Sequence, residues 1–542
     1  MQRQPPESPR LSRDLKECCC TPCTTLKAAE ARLEQLKAAV LATEAEVLQI
    51  RHTVNDVHDP LAQVPREIVS VIFEKIYDDY QANVTYPPFK LGAVCRSWRD
   101  IAWSTPMIWN SVHFTLDPDH ETENCVELLK QYVGRSGILR LSIHLEWCHA
   151  EGYIFEEEAF EPIIEVLKPC ISRWDSVHLE LPVFAYSRLV EDVQQGSHST
   201  LRHLTLQPTD TDWLFLDYPP IYGWTYITAN LKTLTLLVND QSFEGYLDLD
   251  YIRVNPSNLT QLSGSVSCSG WFHFLQTSPL LTSATIKLLP DFAGYNYPVY
   301  NHCSHTSLTN LSIVSPSPDD LNELLYRTTC SKLEILSVDS LEPSATPSIE
   351  SMHSFLSRSG QFLHALELFQ FSWSSAELQR CLESIPRLEE LSFYHPRNMT
   401  VYQIMEIVFG EFAGVNTDHP LELRMPNLET FKLSTPIFSS TAANTWEFLH
   451  LLQAYVNKRH TMPEVVIDDV VSSLRLINIK LNIEATSLGK DFPYMEKEHL
   501  QIIDRLRNIH DISINILTLY GDEDDLVKTS IQYWKSLEGE NR

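Results

Sequence analysis

LTNLSIVSPSPDDLNELLYRTTCSKLEILSV, residues 308–338, carries two copies of one short pattern on either side of a helix-like segment. Leu308, Leu311 and Ile313 are spaced apolar-x-x-apolar-x-apolar, and Leu333, Leu336 and Val338 repeat that spacing. The closing alternation is the period of a strand with one buried face. Asp319–Thr328, between the copies, reads as a helix. Strand, helix and strand in this order predict an α/β architecture, with parallel strands on an inner face and helices outside.

The pattern extends in both directions. Towards the N-terminus it occurs at Leu281/Ala284/Ile286, Leu231/Leu234/Leu236, Leu201/Leu204/Leu206, Trp174/Val177/Leu179 and Ile138/Leu141/Ile143. Towards the C-terminus it occurs at Leu363/Leu366/Leu368, Leu388/Leu391/Phe393, Leu428/Phe431/Leu433, Leu474/Ile477/Ile479 and Ile509/Ile512/Ile514. Helical segments are expected at Ser351–Ser357 and Ala376–Ser384, with longer ones at Met405–Asn416 and Trp446–His460. The better-kept copies lie roughly 22–30 residues apart, which resembles the period of leucine-rich repeats. The family's Asn or Cys three residues after the motif appears at Asn239 but is Thr209, Pro316, Leu341, Phe371 and Pro396 at other copies, so residues 135–520 are expected to form an irregular solenoid. Residues 521–542, with Asp522–Asp525, read as an acidic turn and tail.

A different pattern precedes the repeats. Leu61, Val64, Pro65, Ile68, Ile72, Phe73 and Ile76 lie three or four apart, as on one helical face, and Pro65 can open that helix. Pro87 and Pro88 break the chain, and Leu91, Val94, Cys95, Trp98, Ile101 and Ala102 form a second apolar series. So few short helices bury only a small core, leaving apolar surface for a partner. Leu61-x-x-Val64-Pro65-x-Glu67-Ile68 and Val94-Cys95-x-x-Trp98 resemble the two conserved cores of an F-box. The tail Ser104-Thr105-Pro106-x-x-Trp109 is similar to that of F-box proteins from mushroom-forming fungi. The resemblance covers residues 58–114 and implies an all-helical module docking on a Skp-type adaptor, and through it on a cullin. The adaptor contacts it implies are Leu61, Pro65, Ile68, Ile72, Phe73, Val94, Cys95 and Trp98.

Residues 1–23, rich in Pro, Ser and charge, read as a disordered tail, and residues 24–52 as a coiled-coil helix. Leu26, Leu33, Val40 and Val47 fall seven apart, as do Ala29, Leu36, Thr43 and Ile50. Interleaved series of this kind are a and d positions, used for weak self-association, for a partner helix or for folding back on the same chain.

Composition narrows the function. The 542 residues carry a net charge of −29, which repels phosphate backbones and argues against a nucleic-acid partner. The twelve cysteines are mostly single and set among apolar residues, as buried reduced thiols of an intracellular protein are, whether cytoplasmic or nuclear. No secretory leader or membrane span is expected, since long apolar runs are absent. Phosphate-cradling loops, nucleophile elbows and His-Glu-x-x-His are also absent, so no enzyme activity and no cofactor are expected. Cys18, Cys19, Cys20 and Cys23 lack a second ligand pair, and His302, Cys303 and His305 read as surface loop residues, so no metal site is assigned.

The residues between the repeat leucines point to the opposite, polar face. His203, Thr205, Thr233, Thr235, Asn310, Ser312, Glu367, Glu390 and Ser392 are therefore the expected substrate-binding residues. By resemblance the chain is a substrate receptor of a Skp–cullin–F-box ubiquitin ligase. The alternative is an interaction scaffold outside any ligase.

Overall fold

The computed structural model describes residues 20–80, 87–116, 122–147, 160–194, 199–209, 221, 223–237, 252–289, 302–341, 346–385, 387–397, 399–410, 425, 427–435, 446–461, 474–481, 494–518 and 526–540. The expected tail over residues 1–19 and the acidic run Asp522–Asp525 lie outside them. The chain divides into two compact units, Met1–Asn110 with Gly134–Leu139, and Ser111–Val133 with Arg140–Arg542.

The first unit begins with α1, Thr21–His58, longer at both ends than the expected 24–52. Pro22 in its first turn has no intrahelical hydrogen bond to lose. In α2, Arg66–Tyr80, Pro65 sits just before the helix instead of opening it, and its carbonyl accepts from the Ile68 and Val69 amides. Pro87 and Pro88 stand at the start of a new helix, α3, Pro87–Val94. Cys95 is extended (φ −153°, ψ 175°) and splits the second apolar series, so α4, Arg96–Trp103, is a separate helix. The Cys95 thiol caps α4 by accepting from the Trp98 amide at 3.4 Å. A 3₁₀ turn, Pro106–Trp109, ends the unit, with the Trp109 indole donating to the Ala102 carbonyl at 2.7 Å. Phe73, Ile101, Ala102, Ile108 and Trp109 make the core. Gly92 lets α3 approach α4, since a Cβ there would meet the Trp103 ring at 1.9 Å.

The second unit is mixed α/β. Its strands are β1 (Ser111–Leu116), β2 (Leu141–Trp147), β3 (Trp174–Leu181), β4 (His203–Pro208), β5 (Thr233–Leu236), β6 (Gln261–Ser267), β7 (Ser283–Leu289) and β8 (Cys303–His305). They continue as β9 (Asn310–Ser315), β10 (Thr328–Cys330), β11 (Ile335–Ser340), β12 (Ala365–Phe369), β13 (Glu390–Tyr394), β14 (Thr430–Thr435), β15 (Leu476–Leu481) and β16 (Ser513–Thr518). Among the described residues, fourteen of them form one parallel sheet in sequence order, while β8 and β10 pair separately. Each new strand lies beside the previous one, an order compatible with an α/β solenoid.

The intervening helices start where the sequence supplies caps. Ser317, Ser348, Ser374 and Thr400 accept from backbone amides at the heads of Pro318–Arg327, Ile349–Ser359, Ser375–Leu382 and Val401–Phe409. Glu377 and Gln403 complete reciprocal capping boxes in the last two. Leu311, Leu336, Leu366 and Leu391 stand opposite one another on neighbouring strands and are buried.

Four expectations change. The first and last copies slip by two residues, because Ile143 and Leu145 face Val177 and Leu179, and Ile514 and Ile516 face Ile477 and Ile479. An alternating strand matches itself after every second residue, so the pattern alone permits the slip. Ile138 and Ile509, which the earlier register made core residues, are 94 % and 70 % exposed. The sheet starts at β1, inside the range 58–114 given to the helical module and well before residue 135. The presumed C-terminal tail contains the helix Leu526–Glu540, which buries Leu526, Val527 and Ser530.

Candidate functional site

In the first unit the eight motif residues separate by exposure. Pro65, Ile68 and Val94 are exposed, Ile68 at 51 % and Val94 at 45 %. Leu61, Ile72 and Trp98 are half-buried, and Phe73 and Cys95 are buried. Phe73 packs on the Trp98 ring at 5.2 Å between centroids, so it and Cys95 hold the helices and are not available as contacts. Val71, 50 % exposed, shares the α2 face of Ile68 and Ile72 and is an exposed apolar residue that the motif reading did not single out. Asp59 was missed too. It accepts from the Trp98 indole at 2.8 Å and from the Leu61 amide at 2.9 Å, and the Cys95 thiol points to it at 3.8 Å.

In the second unit the polar face is ordered into rows by the strand register. One row runs His113, His144, His178, Thr205 and Thr235 on β1 to β5. Its later members include Ser312, Ser337, Glu367, Ser392 and Lys432. His203, Thr233, Asn310 and Glu390 belong to a parallel row two residues earlier. All of the expected substrate residues therefore lie on one face, but Ser392 is 2 % exposed. Its short side chain sits between Glu367 and Lys432 on the adjoining strands, which correct it from a surface group to a shielded one.

The three histidines of that row were not foreseen. Their rings stack at 4.3 Å between His113 and His144 and at 4.1 Å between His144 and His178. Glu146 Oε1 lies 2.7 Å from His144 Nε2 and 3.8 Å from His113 Nε2. Burial, followed by the His144 ring, pushes the His178 imidazole down to about 4, and burial also lowers His144. The two-residue slip at β2 hid this stack, because it set His144 out of line with His178. Further along, Phe369 and Tyr394 stack at 4.2 Å on the same face. Such half-exposed aromatics are favoured at protein interfaces.

Of the expected surface-loop residues His302, Cys303 and His305, His302 is exposed outside the strand, but the other two are not surface residues. Cys303 and His305 are buried in β8, and His305 spans the Ser278 carbonyl and the Ser307 and Leu308 amides. Its ring nitrogens are thus engaged in holding a turn. Burial pushes the thiols of Cys330 and Cys381 up to about 12, which makes them poor nucleophiles. No described helix is long and apolar enough to cross a membrane.

No model of a known protein family matches the chain, and no curated protein matches it.

Proposed function

We propose that the chain is the substrate-recognition subunit of a Skp–cullin–F-box ubiquitin ligase, working inside the cell in the cytoplasm or nucleus. Its first unit is the F-box and docks on the Skp-type adaptor, while the second is a degenerate leucine-rich-repeat solenoid whose polar face takes the substrate protein. The observation that supports this reading is the exposure of Ile68, Val71 and Val94 on helices whose Val69, Phe73, Tyr77 and Leu91 are buried. Exposed apolar groups on a small helical unit are what a partner covers. The chain performs no bond chemistry in this role. It raises the local concentration of substrate beside a ubiquitin-loaded enzyme, so its contribution is proximity.

Co-precipitation of the full chain from cells tests the assignment. A ligase receptor brings down both the adaptor and the cullin. Recovery of the adaptor without the cullin would support the interaction scaffold instead, and recovery of neither would remove both readings.

A further inference from the structure

We propose that His113, His144 and Glu146 form a binding site for a divalent metal ion of the zinc class. The ligand atoms of these three side chains lie within 4.8 Å of one another. They come from paired positions on adjacent parallel strands, His113 opposite His144, with Glu146 two residues along the same face of β2. Two imidazoles and one carboxylate are a donor set that zinc accepts, at bond lengths of about 2.0–2.2 Å. The His113 and His144 rings stack at 4.3 Å and an ion must lie in the plane of each, so binding would turn them out of that stack about χ2, a soft terminal torsion. Carbonyl-seeking ions such as calcium take oxygen ligands, so the paired imidazoles favour a transition ion. Three protein donors leave a fourth position for water or for a donor atom of a bound partner. The site needs only the sheet register, and so stands whether or not the chain serves a ligase.

The test is titration of zinc chloride into the full chain carrying no histidine tag, with Cys18, Cys19, Cys20 and Cys23 changed to serine. A competing colour chelator reports the bound ion. One equivalent should bind, and His144→Ala and Glu146→Gln should each weaken binding by more than about tenfold. His113→Ala, at the sheet edge, gives a third variant, and thermal melts confirm that all three remain folded. Cobalt in place of zinc should give visible absorption bands that vanish in the same variants. Failure to bind zinc, or undiminished binding in the folded variants, would overturn the site.

In the first unit α1 leaves ten large apolar side chains exposed along its length. We infer that it pairs antiparallel with α1 of a second copy. The seven-residue series place Glu30, Lys37, Glu44 and Arg51 at e positions beside the apolar seam. In the antiparallel register Glu30 meets Arg51 of the second copy and Lys37 meets Glu44, giving four complementary pairs. The small seam residues are then offset by larger ones, Thr43 against Val40 and Ala29 against Val54. A parallel pair would set Arg32 against Lys37, cancelling the attraction of Glu46 for Arg51, and would stack Thr43 on itself. Lys37 already reaches Glu34 on its own helix at 2.9 Å, an exposed pair that exchanges readily.

Sedimentation of the full chain tests the pairing and its direction together. Lys37→Glu should weaken self-association several-fold, and adding Glu44→Lys should restore it. Tightening by Lys37→Glu would show a parallel pair and overturn the register. A monomer at every concentration would overturn the pairing.

Discussion

The indole nitrogen of Trp98 donates to Oδ1 of Asp59 at 2.8 Å, joining the start of α4 to the turn that follows α1. The same carboxyl oxygen accepts from the Leu61 amide at 2.9 Å, so one acidic side chain fixes the entry to α2 and the position of the motif tryptophan. Asp59→Ala should therefore destabilise the first unit by about 1–3 kcal/mol, the usual cost of leaving such donors unpaired. Trp98→Phe, which keeps the ring contact with Phe73, should cost less. Thermal unfolding of both variants checks the order, and a larger loss in Trp98→Phe would contradict it.

Exposure separates residues that the motif lists together. Phe73→Ala should cost about 3–5 kcal/mol through lost burial and the cavity it leaves. Ile68→Asp should leave the melt within about 0.5 kcal/mol of the parent, as exposed substitutions usually do. Parallel melts decide this, and an unfolded Ile68→Asp protein would place Ile68 in the core.

In the sheet, Leu336→Ala and Leu366→Ala should each cost about 2–5 kcal/mol. Thr235→Ala, on the polar face, should stay within about 0.5 kcal/mol of neutral. Chemical denaturation of the three variants measures the contrast, and parent-like stability of both leucine variants would contradict the register.

Asp339 lies between Val314 and Phe369 in its row, and its Oδ1 is buried without a hydrogen-bond partner. Burial raises its pKa in the folded chain above the ordinary carboxylate value. A raised folded pKa favours the native state at low pH, and that advantage is lost as pH rises through it. Asp339→Asn should therefore raise the melting temperature at pH 7, with the gain closing below about pH 4. Equal melting temperatures for the two proteins across that range would show that the carboxylate is adequately solvated.

Much of this architecture is legible in the chain itself. The central copies keep their register because helices with clear caps at Ser317, Ser348, Ser374 and Thr400 punctuate them. At the ends the alternation continues past the motif, as at Leu141, Ile143 and Leu145, and only pairing with the next strand selects the face. That selection also creates the histidine stack, which no local spacing announces. In the first unit the helical period at Ile68 and Phe73 reveals an apolar side, but not which residue meets α4 and which meets solvent. The part played by Asp59 is similarly hidden, since its partners Trp98 and Cys95 lie far along the chain.

Size-exclusion chromatography of the purified full chain mixed with a purified Skp-type adaptor tests the central claim most directly. The account predicts a stable one-to-one complex with the parent protein and none with the folded Ile68→Asp variant. Separate elution of the parent protein and the adaptor, or an Ile68→Asp complex as stable as the parent one, would contradict it.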